Sequence, residues 1–168
     1  MAQLLKVFVD ICLLRAGPQD LPAARFLLRL ILALHVLLGF AFALFTVPLP
    51  QALLAAAVGT ALLVVVVQGL LLAHRKAARL LQTATALAGS EIVLGLAALP
   101  PTVWFYAVEG AEARLVPSLL SLLIIVWSVV VTVHILRHAL EVNQGIALLL
   151  ALGYTFLTYS VMGLVVPS

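Results

Sequence analysis

The chain has 168 residues, of which 65% are hydrophobic and only 9% are charged, and its formal net charge is +3. Soluble globular domains have about 45–50% apolar and about 25% charged residues, so this composition excludes a water-soluble fold. The basic residues lie between apolar runs, which is typical of membrane topology signals and not of a nucleic-acid surface. The single cysteine, Cys12, excludes an internal disulfide and cysteine-based zinc or iron–sulfur sites within one chain.

Residues 1–16 predict an amphipathic helix. Leu4, Phe8 and Cys12 recur one turn apart on one face, whereas Lys6 and Asp10 pair on another. The segment is too short and too charged to span a bilayer, so it either lies on the membrane interface or packs on the protein's own cytoplasmic loops. We therefore assign residues 1–24 to a cytoplasmic amphipathic segment and residues 25–168 to a transmembrane domain.

Five apolar runs follow this segment, and Pro100-Pro101 ends the third. A helix needs about 20 residues to cross roughly 30 Å of hydrocarbon, and every run approaches that length. The predicted fold class is all-α: a polytopic helical membrane protein with about five transmembrane helices after a short amphipathic N-terminal helix. The predicted spans are about 27–45, 52–73, 80–99, 115–136 and 146–166.

The basic residues predict the orientation. Arg114 alone lies on one side, whereas the other eight lie before span one, between spans two and three or between spans four and five: Lys6, Arg15, Arg25, Arg29, Arg75, Lys76, Arg79 and Arg137. The positive-inside rule places the N-terminus in the cytoplasm and the C-terminus outside. The Ala- and Leu-rich composition indicates a GC-rich bacterial genome, so we expect a bacterial inner (plasma) membrane and a periplasmic C-terminus.

Glu91 lies inside the third run, about 16 Å along a helix from Leu80. A carboxylate at that depth costs about 2.5–3.5 kcal/mol, so it should face the bundle or a wet cavity. His35 in the first run and Tyr154 and Thr158 in the fifth lie at matching depths and could meet Glu91. The functional interpretation is a proton- or ion-handling site, and the structural one is a hydrogen-bonded packing residue.

Small residues surround Glu91 in the third run: Ala84, Ala86, Ala88, Gly89 and Ser90. Small side chains let helices approach closely, and hydroxyl groups can bond across the interface. This composition favours a tightly packed central helix.

A second polar cluster is predicted at the cytoplasmic edge. His134, His138 and Glu141 can share one helix face, and His74 should lie on the same edge, which suits zinc or another divalent ion. The alternative is a polar helix end in which cations complement the helix dipole. Haem ligation is disfavoured because it needs imidazoles from two helices at one depth, and His35 and His134 differ by about 9 Å.

Catalytic signatures are absent from the sequence: it has no Gly-x-Ser-x-Gly, no Walker sequence and no His-Glu-x-x-His. We therefore expect a non-enzymatic protein with no cofactor and no nucleic-acid partner.

Spans three to five resemble the bacterial branch of the Yip family of five-span integral membrane proteins. The resemblance covers about half of the chain and rests on residues 81–88 (LQTATALA), on Trp127-Ser128 and on the polar turn His138–Gln144. It implies five spans, a cytoplasmic N-terminus and a non-enzymatic character. Eukaryotic members engage small GTPases and help to shape or sort membranes, but no partner or functional residue transfers to this chain.

Three functions remain open. The first is a scaffold, assembly factor or accessory subunit acting in the membrane plane, with the lipid bilayer and other membrane-protein subunits or further copies of itself as partners. The second is a small ion- or proton-coupled transporter that uses Glu91. The third is a metal-binding membrane protein that uses the histidines at the cytoplasmic edge. The short loops and the lack of catalytic residues favour the first.

Overall fold

The computed structural model describes residues 2–165, which form six α-helices joined by short connections. The helices are α1 (Ala2–Cys12), α2 (Arg25–Ala43), α3 (Leu49–Ala73), α4 (Leu80–Ala107), α5 (Ala111–Leu140) and α6 (Gln144–Val165). Two 3₁₀ turns, Pro18–Asp20 and Ala77–Arg79, precede α2 and α4. No strand occurs within the described part, which confirms the predicted all-α fold class.

Helices α2 to α6 are each long and apolar enough to cross a membrane, so the chain is a multi-pass membrane protein. Helix α4 is central, since it packs against α1, α2, α3 and α5. Its residues Thr83–Ser90 are all buried, as expected for a stretch of small side chains that neighbouring helices can approach closely.

Local sequence explains where the helices begin and end. Pro48 and Pro50 flank the first residue of α3, where a missing backbone N–H costs nothing. Gly110 precedes α5 with φ +89°, a conformation that favours glycine. The Asn143 Oδ1 atom accepts the Ile146 N–H at 2.9 Å and so caps α6.

Helix α4 continues through Pro100 and Pro101, where the sequence ended the third apolar run. Each proline removes one helical N–H donor, but the Thr102 hydroxyl adds a bond in the same turn by donating to the Ala98 carbonyl at 2.8 Å. The aromatic residues Trp104, Phe105 and Tyr106 consequently lie in the last turn of α4 and not beyond it.

Helix α1 packs against α4 and α5. The Phe8 ring lies directly on Gly89, where any Cβ atom would collide with it. Leu4 and Leu5 share one apolar groove with residues of α2 and with α4 residues as far along as Leu96. Helix α1 therefore contacts the spanning helices themselves and not only the connections between them.

The segment after α1 returns along α4 to the helix ends. The Trp127 Nε1–H donates to the Cys12 carbonyl at 3.0 Å, and the Gln82 side-chain amide donates to the Leu21 carbonyl at 2.8 Å. At this end of the bundle α2, α4 and α6 begin and α3 and α5 end. We call it the basic rim, because it carries Arg25, Arg75, Lys76, Arg79 and Arg137.

The two halves of the bundle differ in packing. The buried residues of α5 are Val131–Val133, Ile135, Leu136, Ala139 and Leu140 near the basic rim, whereas only Pro117 is buried between Ala111 and Val130. Helix α6 buries only Ala147 and Ala151, also near the rim. The buried side chains of α5 and α6 therefore lie mostly on the rim side of the bundle.

Candidate functional site

Four polar side chains from four helices meet in the middle of the bundle: His35 of α2, Thr60 of α3, Glu91 of α4 and Tyr154 of α6. Each lies about 15–20 Å along its helix from the end at the basic rim, given 1.5 Å per residue. We call this group the polar layer. Five apolar helices surround it, so its hydrogen bonds form in a medium of low dielectric constant.

The hydrogen bonds of the polar layer fix the state of the His35 ring. The Thr60 hydroxyl donates its one hydrogen to the Ala56 carbonyl at 3.0 Å, so it can only accept from His35 Nδ1, which lies 2.8 Å away. The hydrogen on Nδ1 is therefore present in every protonation state considered below. Only Nε2 remains free to gain or lose a proton.

The Nε2 atom of His35 lies 2.7 Å from Glu91 Oε2, so a hydrogen must lie between them. It belongs either to an imidazolium facing a carboxylate or to a carboxylic acid facing a neutral imidazole. Both forms have zero net charge. The Tyr154 hydroxyl donates to the second carboxyl oxygen, Oε1, at 3.0 Å and so satisfies the other side of the carboxyl group.

Partial exposure gives the pair a route for a proton to leave. The His35 side chain is 16% exposed and that of Glu91 is 28% exposed. Glu91 opens into a cavity of about 190 Å³ between α4, α5 and α6. Every other residue that lines this cavity carries a hydroxyl group: Ser128, Thr132, Tyr154, Thr155, Thr158 and Tyr159.

Three of the predicted site residues, Glu91, His35 and Tyr154, are directly hydrogen-bonded in the structure. Thr158 lines the cavity, but no hydrogen bond joins it to Glu91. Thr60, which contacts His35, and the cavity residues Ser128 and Thr132 were not predicted from the sequence. Its depth in the membrane could have indicated Thr60, because it is the one hydroxyl residue of the second predicted span and lies at the level of His35.

The residues predicted at the cytoplasmic edge have other partners. Glu141 is paired with Lys76 and Arg79, and these two cations hold the pKa of its carboxyl group below the usual range. Arg79 also donates to the carbonyls of His138 and Ala139, at 3.2 and 3.0 Å. These bonds satisfy the C-terminal end of α5.

The histidines of the same edge also contact backbone groups of the protein. The rings of His134 and His138 lie 4.4 Å apart, but His134 Nε2 contacts the Ala16 carbonyl at 2.9 Å and His138 Nδ1 contacts the His134 carbonyl at 2.8 Å. His74 forms the C-terminal cap of α3. Between residues 2 and 165, no group of three or more His, Cys, Asp or Glu residues is arranged to hold a metal ion, so the predicted four-residue metal site does not assemble.

Comparisons with known proteins add no name to this geometry: no family model, curated protein or solved structure matches the chain. The resemblance to the Yip family accordingly stays a prediction. The function has to be inferred from the side chains of this chain alone.

Proposed function

We propose that this chain is a small proton-coupled membrane carrier in which the His35–Glu91 pair binds and releases one proton. The observation that supports the proposal is the 2.7 Å contact between His35 Nε2 and Glu91 Oε2, in which either atom can hold the hydrogen. Ionisable groups inside a membrane are commonly parts of ion or proton pathways.

Charge balance favours proton exchange at this pair over a purely structural role. A permanent ion pair of Arg or Lys with Glu would keep one charge state, whereas imidazole changes its protonation near neutral pH. The fixed hydrogen on Nδ1 leaves Nε2 as the one exchanging position of the ring. Loss of the shared proton leaves a carboxylate whose negative charge must be balanced from the cavity or by a new proton.

The cavity gives this exchange a place. It lies beside Glu91 between α5 and α6, at the level of the polar layer, and its other lining residues all carry hydroxyl groups. The proton exchanges through this cavity.

Nitrogen NMR of the purified protein in lipid nanodiscs tests the proposal. We expect the signal of a hydrogen held on His35 Nδ1 and that of a second hydrogen shared between Nε2 and Glu91. In Glu91→Gln the shared-hydrogen signal should be lost or displaced. A matched control is Glu141→Gln, which makes the same chemical change in the other carboxylate that has cationic partners and should leave the His35 signals unchanged.

Proton uptake into proteoliposomes, followed with a trapped pH-sensitive dye, gives the functional readout. The wild type and Glu141→Gln should support pH-driven uptake, and Glu91→Gln should not. An Nε2 signal that is the same in the wild type and in Glu91→Gln, together with equal uptake by Glu91→Gln, would overturn the proposal.

The second candidate is the scaffold, assembly factor or accessory subunit that the sequence favours, including the membrane-shaping role that the Yip resemblance implies. Its support is the first two thirds of α5, where only Pro117 is buried between Ala111 and Val130. Lipid or another polypeptide has to cover these apolar side chains. A partner that co-purifies equally with the wild type and with Glu91→Gln would favour this candidate over the carrier.

A further inference from the structure

The cavity beside Glu91 presents hydrogen-bond acceptors. Ser128 donates its hydroxyl hydrogen to the Ile125 carbonyl at 2.7 Å, and Thr132 donates to the Ser128 carbonyl at 2.9 Å. Tyr154 donates to Glu91. Each of these hydroxyl groups has its single hydrogen engaged inside the protein and therefore offers lone pairs to the cavity.

Thr158 adds an unsatisfied group to the same wall. Its buried Oγ1 atom lies near the Tyr154 hydroxyl but forms no hydrogen bond of good geometry, and an unpaired buried hydroxyl costs about 1–3 kcal/mol. Two aromatic rings, those of Tyr154 and Tyr159, also line the cavity. A carboxyl group, acceptor oxygens and aromatic faces together attract positive charge.

We propose that the cavity binds a small organic ammonium ion, which the carrier exchanges for the proton of the His35–Glu91 pair; this inference rests on the proposed function. When the cation enters, the shared proton leaves the pair and is taken up by water. The occupied site then holds a neutral imidazole, a carboxylate and an ammonium ion, and its net charge is zero, as before. The exchange therefore leaves no unbalanced charge in the apolar interior, where such a charge is costly.

The size of the cavity limits the substrate. Pockets for drug-sized molecules have volumes of about 300–1,000 Å³, whereas this cavity has about 190 Å³. Short alkylammonium ions fit that volume, and large lipophilic cations do not. Methylammonium and tetramethylammonium are therefore suitable probes.

Isothermal titration calorimetry on the purified protein in detergent tests the exchange. Methylammonium or tetramethylammonium is titrated in two buffers of different ionisation enthalpy, which reports the number of protons released. We expect one proton per bound cation, tighter binding as pH rises, and no proton release in Glu91→Gln. Sodium and potassium chloride serve as comparison salts and should not reproduce the heat.

Variants of the cavity wall separate this inference from the proposed function. Ser128→Leu should fill the cavity and abolish cation binding, while Thr158→Val should weaken it by about tenfold through loss of one acceptor. Both should keep the hydrogen on His35 Nδ1, which contacts Thr60 and not the cavity wall. Ser118→Leu, the same change as Ser128→Leu at an exposed serine of α5, should bind like the wild type.

The outcomes distinguish the two ideas. A shared hydrogen between His35 and Glu91 with no heat from either ammonium ion, the result expected if the cavity holds only water, would overturn the ammonium site and leave the proton carrier intact. Binding without proton release would also overturn the exchange. Absence of both the shared hydrogen and the binding would remove the proposed function together with this inference.

Discussion

Two glutamates of this chain contact basic side chains, and the two sites differ in burial and in the chemical type of the partner. Glu141 lies exposed at the basic rim and pairs with Lys76 and Arg79, whose charges are permanent at neutral pH. Glu91 lies in the middle of the bundle and pairs with His35, whose charge is not. Burial and the type of partner are therefore the two properties by which the proposed function singles out Glu91.

The largest effect should come from giving Glu91 the kind of partner that Glu141 has. In His35→Lys the carboxylate would face a permanent ammonium group, so the shared proton would no longer exchange. We expect at least about a 100-fold loss of proton uptake in proteoliposomes, the usual scale for removing a proton-transfer group. Retention of half or more of the wild-type uptake would show that histidine and lysine are equivalent partners for Glu91.

The next largest expected effect is on the free energy of unfolding. Glu91→Leu removes one partner of a partly buried pair and leaves His35 Nε2 and the Tyr154 hydroxyl without their acceptor, so we expect a loss of about 2 kcal/mol in unfolding free energy. The double variant His35→Leu/Glu91→Leu should recover most of that loss. Circular dichroism during unfolding in mixed detergent micelles measures both. Equal losses in the single and double variants would argue against coupling between the two residues.

A smaller effect is expected from Tyr154→Phe. The substitution removes one hydrogen bond to Glu91 Oε1 and should lower stability by about 1 kcal/mol. The His35 contact remains, so proton uptake should persist. The same unfolding and uptake assays apply, and an uptake as low as that of Glu91→Gln would place Tyr154 in the proton path itself.

The smallest effect belongs to Glu141, whose ion pairs are exposed and screened by salt. Because Lys76 and Arg79 lower its pKa in the folded protein, its stabilisation is present above the usual carboxyl range and is lost as pH falls through the lowered value. The stability difference between the wild type and Glu141→Gln should therefore be constant near neutral pH and vanish in strong acid or high salt. A difference that grows on acidification would contradict this sign.

Much of the fold follows from sequence because the bilayer imposes it. Apolar length and the need to satisfy backbone groups predict five spanning helices. The predicted end of the third helix at Pro100-Pro101 was wrong, because α4 continues through both prolines. Two prolines usually end a helix in water, but they are tolerated inside an apolar bundle. The position of α1 was not predictable, because periodicity shows that a helix has an apolar face without showing which surface covers it.

The candidate site was partly predictable by the same reasoning. Depth along each span brought His35, Glu91 and Tyr154 to one level, but depth carries no information about lateral neighbours and therefore missed Thr60. The grouping of Glu141 with His134 and His138 failed for a local reason. Glu141 adopts a left-handed conformation, φ 57° and ψ 41°, at the end of α5, so it leaves the helix face that the spacing predicted.

The position of α1 has a consequence for biosynthesis. Its binding surface is built from Gly89 and Ser90 of α4 and from Trp127 of α5, which is translated 115 residues after Cys12. At about 5–20 residues per second, the ribosome needs roughly 6–23 s to complete that surface. Helix α1 is therefore made well before its binding surface is complete, and that surface cannot cover Phe8 and Ile11 during the interval.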